Sequence, residues 1–341
     1  MKRFLIVLTV FALASCGMNV INDPREEQDE IQNSIENDTN NTIESDDVYV
    51  EDTGIETEED EEIGEETGQE PVLIADFSQV GPYDVLVESR TASVTDCSSM
   101  SYDIYSPSGI VDPPVVILGH GFARGSGVMV GWSEHFASWG VEVLLPTLCH
   151  YNVFFGVDHE MNGQNMKELG DIHGSLETIY VGHSAGGLAA IIAASLDHNA
   201  IGVLGLDATD TQGVPGVRDF IGRDYAGSVN CPAFSIAGEA SSCNGENNGL
   251  TLFRMMIDYS SVQITSADHC DFENPTDSIC EMNCENSAVI FEDEEIRSVI
   301  TTLGTASIMS ISGMMEEGSY IWSNEGLREW QVAGIVKNLE L

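Results

Sequence analysis

Gly182-His183-Ser184-Ala185-Gly186-Gly187 places a serine hydroxyl where a nucleophile is useful. The residues before it, Thr178-Ile179-Tyr180-Val181, read as a short buried strand, and Leu188 to Ala194 read as a helix. Backbone crowds both sides of a serine on so sharp a turn, so small residues are needed at Gly182 and Gly186. The turn lifts the hydroxyl to a sheet edge above a helix N-terminus, whose N–H groups stabilise an oxygen gaining negative charge. The chemistry that follows is acyl transfer through a serine ester, provided a base takes the hydroxyl proton. The competing reading is an ordinary Gly/Ser turn, and a chain with 33 glycines makes the bare pattern cheap. The strand, turn and helix around the serine are what give it weight.

The elements that must position this serine alternate along the chain. Tyr83 to Glu88 and Met100 to Tyr105 alternate as half-exposed strands and predict an antiparallel edge hairpin, with Ser106-Pro107-Ser108-Gly109 turning the chain afterwards. Pro114-Val115-Val116-Ile117-Leu118 is a continuous apolar run, suited to a strand buried on both faces of a mainly parallel sheet. Gly119-His120-Gly121-Phe122 follows it directly. Helical spacing over 132–139, a strand over 141–145 and a helix within 161–176 lead to the serine strand. Beyond it, strands are predicted over 201–206, 233–238 and 261–265, the last of these being the final one. Helical stretches at about 294–310 and 327–338 then cover the sheet. The fold class is α/β, with helices on both faces of the sheet and functional residues at strand C-termini.

From about residue 75 onward the chain resembles the α/β-hydrolase family, on Gly182-His183-Ser184-Ala185-Gly186 and on Gly119-His120-Gly121-Phe122. The resemblance is nearest to the dienelactone-hydrolase-like, chlorophyllase-like, platelet-activating-factor-acetylhydrolase-like and polyester-hydrolase-like members. Gly81-Pro82-Tyr83 and Ala267-Asp268-His269 also look like that group. Family members place serine, acid and histidine in that chain order. Of the eight histidines only His198 and His269 follow Ser184, and His269, after the last predicted strand, stands where the family carries its base. The strand 231–238 looks like the one that usually leads to the family's aspartate, but Ser241 stands in that place. The resemblance then points to the preceding strand end, Gly205-Leu206-Asp207-Ala208, so Asp207 is the expected acid, with Glu239 second and Asp210 third. It implies an oxyanion hole from the backbone N–H groups of Phe122 and Ala185. His120 is expected to brace its loop, and Trp132 to pack in the core rather than line a pocket.

The rest of the chain sets the context. Lys2-Arg3, an apolar stretch from Phe4 to Ala14 that is too short to span a bilayer, and Ser15-Cys16 form an export signal over 1–15. Leu13-Ala14-Ser15-Cys16 resembles a bacterial lipobox, implying a mature chain that starts at a lipidated Cys16. Gly17 after that cysteine implies the outer membrane or cell surface by analogy with sorting rules. Residues 16–70 form the second region, acidic and polar, with Arg25 as the sole basic residue and Tyr49 as the sole aromatic after residue 22. Such a segment buries no core and reads as an extended, disordered stalk. Residues 71–341 are expected, from the resemblance, to form the α/β-hydrolase domain.

A formal charge of −45, from 12 basic and 57 acidic residues, argues against nucleic acid as a partner. With Cys16 set aside, an odd number of cysteines is left, and export favours disulfides among them. Cys270 is expected to bond Cys280 or Cys284 and so fix the His269 loop; a zinc site of His269, Cys270, Cys280 and Cys284 is the weaker alternative. The expected function is hydrolysis of small-molecule or polymeric carboxylic esters with no cofactor and no metal. A non-catalytic surface lipoprotein on a hydrolase scaffold, serving binding or adhesion, is the alternative.

Overall fold

Strand and helix alternate in the computed structural model, which describes residues 75–152, 156–214, 216–284 and 288–339. The expected signal peptide, Cys16 and the acidic stalk lie outside the described residues. The described part belongs to the unit Gln69–Leu341.

Nine strands form one sheet. In chain order they are β1 (Val85–Val94), β2 (Cys97–Pro107), β3 (Val115–Gly119), β4 (Glu142–Pro146), β5 (Thr178–His183), β6 (Ala200–Leu206), β7 (Ala233–Ala237), β8 (Tyr259–Ile264) and β9 (Val336–Asn338). Across the sheet the order is β1-β2-β4-β3-β5-β6-β7-β8-β9. From β4 to β8 every neighbouring pair is parallel, while β1 with β2, β2 with β4 and β8 with β9 are antiparallel. The predicted edge hairpin is present and longer than expected.

Two expectations are corrected at the C-terminal end. The strand at 259–264 is not the last, and the stretch 327–338 is not one helix. A short helix over Arg328–Ala333 stops where Gly334 takes a left-handed conformation (φ 83°), and Val336 then pairs with Ile264 at the sheet edge. Glycine at that position ends a helix readily, because it adopts positive φ without a side-chain clash.

Alternate residues of the central strands feed two cores. Val116 and Leu118 of β3 pack with α1 (Val130–Ser138) and α4 (Asp293–Ser312), while Val115 and Ile117 pack with α2 (His159–His173) and α3 (Ala185–Leu196). This is why β3 reads as an unbroken apolar run: each of its five residues is buried. Fully burying an Ile or Leu contributes roughly 1.5–3 kcal/mol, so a strand covered on both faces is a firm platform. Helix ends follow local chemistry. The Asp158 side chain accepts the Met161 N–H at 2.9 Å to start α2, and Gly174 (φ 83°) ends it. Among the described residues no helix is long and apolar enough to cross a membrane.

Three cysteine pairs lie at disulfide distance: Cys97–Cys149, Cys243–Cys284 and Cys270–Cys280, with Cα separations of 6.2, 5.7 and 5.8 Å. Cys231 is free and buried. Of the two partners open to Cys270 in sequence, the fold selects Cys280. Such pairs fit an oxidising compartment.

Candidate active site

Ser184 sits between β5 and α3 with φ 58° and ψ −126°, a backbone conformation that side chains other than glycine rarely adopt. Holding it costs on the order of 1–3 kcal/mol, offset by its surroundings. The Ser184 N–H donates to the Leu206 carbonyl and the Thr209 N–H donates to the Ser184 carbonyl, both at 3.1 Å, which ties the turn to the end of β6. A methyl group on Gly182 would collide with the Gly186 carbonyl, and one on Gly186 with the Gly119 carbonyl. The two glycines therefore let the N-terminus of α3 press against the ends of β3 and β5. Positive φ recurs at Ala123, Asp207 and Ser266, which follow β3, β6 and β8, so four strand ends carry unusual backbone around one place.

His269 opens a one-turn helix, His269–Phe272, beyond the end of β8. The Asp268 carboxylate accepts the Cys270 N–H at 2.8 Å, and Asp271 Oδ2 accepts the Asp268 N–H at 2.9 Å, fixing that turn. His269 Nδ1 lies 2.6 Å from Asp207 Oδ2. With the carboxylate accepting, the ring carries its proton on Nδ1, and Nε2 is the free basic nitrogen. Asp207 is 1% exposed and His269 6%. The Asp207 carboxylate also accepts the Gly238 N–H at 3.0 Å and the Asn244 Nδ2 group at 3.3 and 3.2 Å.

His183, the residue before the serine, links the two halves. Its ring lies against that of His269, tilted by 42° with 4.5 Å between centroids, and its Nε2–H donates to the His269 carbonyl at 3.0 Å. Complete burial holds its pKa well below the usual histidine range, so it is neutral and is a brace rather than a base. Among the described residues the Ser184 hydroxyl makes no hydrogen bond to His269. Such bonds commonly close only when substrate is in place.

Among the described residues the two amides expected to form an oxyanion hole make no hydrogen bond. Ala185 N is the first amide of α3, which has no acceptor within its own helix. Phe122 N sits between the amides of Gly121 and Ala123; the Ala123 N–H turns away to the Tyr151 carbonyl at 2.9 Å. Gly121 lies against the serine: a methyl group there would come 3.2 Å from Ser184 Cβ. His120 braces this loop, with Nδ1–H donating to the Gly121 carbonyl at 2.9 Å and Nε2 accepting the Leu148 N–H at 3.0 Å. Burial pushes its pKa down to about 4, consistent with a neutral ring. Trp132 is 3% exposed and donates its indole N–H to the Phe272 carbonyl at 2.9 Å, so it packs in the core and ties down the histidine loop.

Neither alternative acid contacts the histidine. Glu239 Oε1 accepts the Ser266 N–H at 3.3 Å and faces Lys337 Nζ at 3.9 Å. Asp210 Oδ1 accepts the N–H groups of Thr211 (2.8 Å) and Gly222 (3.0 Å), and burial raises its pKa. The donors of the zinc alternative are engaged elsewhere. The sulfurs of Cys270, Cys280 and Cys284 lie within 4.8 Å of one another, but all three belong to disulfide pairs and His269 Nδ1 belongs to Asp207.

Three contributors were not anticipated from sequence. Asn244 donates to Asp207, and His183 braces His269. Arg124 grips fully buried Glu273 through Nε and Nη2, both at 2.6 Å, joining the loop after β3 to the chain just beyond His269. The available signals were the Asn-rich loop 244–248 and the lone arginine after Gly121-Phe122-Ala123. No family model matches the chain, and a search of curated proteins finds no match either.

Proposed function

We propose that the chain is an α/β-hydrolase-type serine hydrolase that cleaves carboxylic esters through Ser184, His269 and Asp207. The observation that carries this reading is the 2.6 Å contact between His269 Nδ1 and Asp207 Oδ2, made over the same sheet end as a serine in a strained elbow. Ser184 Oγ attacks the ester carbonyl as His269 Nε2 takes its proton, and Asp207 stabilises the resulting imidazolium. The N–H groups of Phe122 and Ala185 receive the carbonyl oxygen as its charge develops. The imidazolium gives its proton to the leaving alcohol. Water, activated by the same ring, then releases the acid from the acyl-enzyme and regenerates the serine.

The N-terminal sequence supports export and tethering through a lipidated Cys16 at the outer membrane or cell surface, with the ester substrate met outside the cytoplasm. A fluorophosphonate probe is expected to label the folded protein and to lose that labelling in Ser184→Ala. Absence of labelling in folded wild type, or esterase activity that survives Ser184→Ala, refutes the reading and favours a binding role. A panel of esters graded by acyl length then assigns the substrate class.

A further inference from the structure

Asn244, 37 residues from Asp207 in sequence, is completely buried, and both ends of its side-chain amide are engaged. Its Oδ1 accepts the N–H groups of Ser241 (2.9 Å) and Asn247 (3.1 Å), which closes the loop after β7 around it. Its Nδ2 donates to the Glu239 carbonyl at 2.8 Å and faces the two carboxylate oxygens of Asp207 at 3.3 and 3.2 Å. The oxygen end fastens its own loop. The nitrogen end reaches across to the end of β6.

Asp207 needs that reach. A carboxylate buried this deeply is costly unless donors surround it. Besides the His269 ring on Oδ2, its remaining donor among the described residues is the Gly238 N–H on Oδ1. Two such contacts leave the carboxylate plane free to twist, whereas an amide placed across both oxygens resists the twist. The loop itself is anchored by the neighbouring Cys243–Cys284 pair.

We infer that Asn244 is a positioning residue of the proposed triad, fixing through Nδ2 the plane of the Asp207 carboxylate and hence the orientation and tautomer of His269. The inference rests on the hydrolase reading of Ser184. A hydrogen bond to a charged group is strong enough that its loss lowers the rate by roughly 10- to 100-fold.

The test is hydrolysis of p-nitrophenyl acetate by the full chain across pH for wild type, Asn244→Ala, Asn244→Asp and Ser184→Ala, with melting curves for each. Asn244→Ala is expected to lower kcat by about 10- to 100-fold while KM stays nearly constant. Asn244→Asp keeps the oxygen that fastens the loop but sets a second carboxyl against Asp207. Two carboxylates so close do not both ionise, so this variant is expected to work only while the pair holds a proton. Its rate falls on the alkaline side, where the wild-type rate stays level. A wild-type kcat in Asn244→Ala, or a wild-type rate and alkaline profile in Asn244→Asp, overturns the inference; if Asn244→Ala does not fold, Asn244→Asp decides. Loss of activity in Ser184→Ala with unaltered Asn244 variants removes the Asn244 role alone. Activity that survives Ser184→Ala removes the hydrolase reading and this inference with it.

Discussion

Arg124 and Glu273, 149 residues apart, form a two-pronged ion pair in which the carboxylate is wholly enclosed. The pair joins the loop that carries the Phe122 amide to the segment that leaves His269. It therefore sets the spacing between two parts of the site contributed by distant strands. Arg124→Ala leaves a charge buried without its partner and is expected to cost about 3–5 kcal/mol, read from urea unfolding. Arg124→Ala combined with Glu273→Gln recovers part of the loss, because the uncompensated charge is gone.

The tight approach of α3 to β3 makes a second prediction. Gly186→Ala drives a methyl group into the Gly119 carbonyl and is expected to destabilise the fold by several kcal/mol, at the upper end of roughly 1–3 kcal/mol or beyond. Gly127 lies in a one-turn helix, Ser126–Met129, with nothing near a would-be methyl group. Gly127→Ala is expected to be neutral or to stabilise by about 0.4–1 kcal/mol through the unfolded chain. Thermal unfolding of the two variants distinguishes crowding from a general preference for glycine.

Asp271, within the one-turn helix that His269 opens, gives a pH dependence with a definite sign. Burial raises its pKa to about 6, helped by the charges of Asp268 and Asp293 and opposed by the Asp268 N–H and by Arg297. The folded state therefore holds this proton more tightly than the unfolded chain, where an aspartate titrates near 3.9. The stability it contributes is full below about pH 4 and is lost as pH rises through about 6. Asp271→Asn removes this dependence, so its urea midpoint should gain on wild type between pH 4 and pH 7.

The cysteine pairs divide stability from activity. Cys97 and Cys149 are 52 residues apart and their loss is expected to cost about 4 kcal/mol, whereas Cys270 and Cys280, 10 apart, cost nearer 3 kcal/mol by loop entropy. The shorter link adjoins His269. Replacing its cysteines by alanine should therefore reduce the proposed ester turnover more than replacing Cys97 and Cys149, a contrast that paired denaturation and rate measurements resolve.

Much of the scaffold was legible in the sequence because burial on two faces leaves a plain mark. Val115 to Leu118 and Ile179 to Val181 are apolar without interruption, and both lie in central strands. The C-terminal edge was not legible, since helical spacing runs through Gly334 and only pairing with β8 makes Val336 a strand residue. The Ser184 turn was anticipated from the strand, turn and helix around it, and the Asp207–His269 contact from the family resemblance that singled out those two positions. Asn244 was hidden for the opposite reason: its partner Asp207 is 37 residues away and nothing local requires that they meet. Arg124 read as one arginine in an acidic chain, and its worth depends on the enclosure of Glu273, which is a property of packing alone.

Cys280 and Cys284 lie one turn apart on a short helix, Ser278–Cys284, and their sulfurs share a small space with that of Cys270. A thiolate released at any of the three has a neighbouring disulfide within easy attack, so exchange there needs no outside thiol. Were Cys243 unable to reach Cys284, the trio would be free to shuffle among themselves and leave one sulfur unmatched. Capture of Cys284 by Cys243 leaves Cys270 and Cys280 with only each other, so the seating of the loop that bears Cys243 decides which pairing this corner settles into.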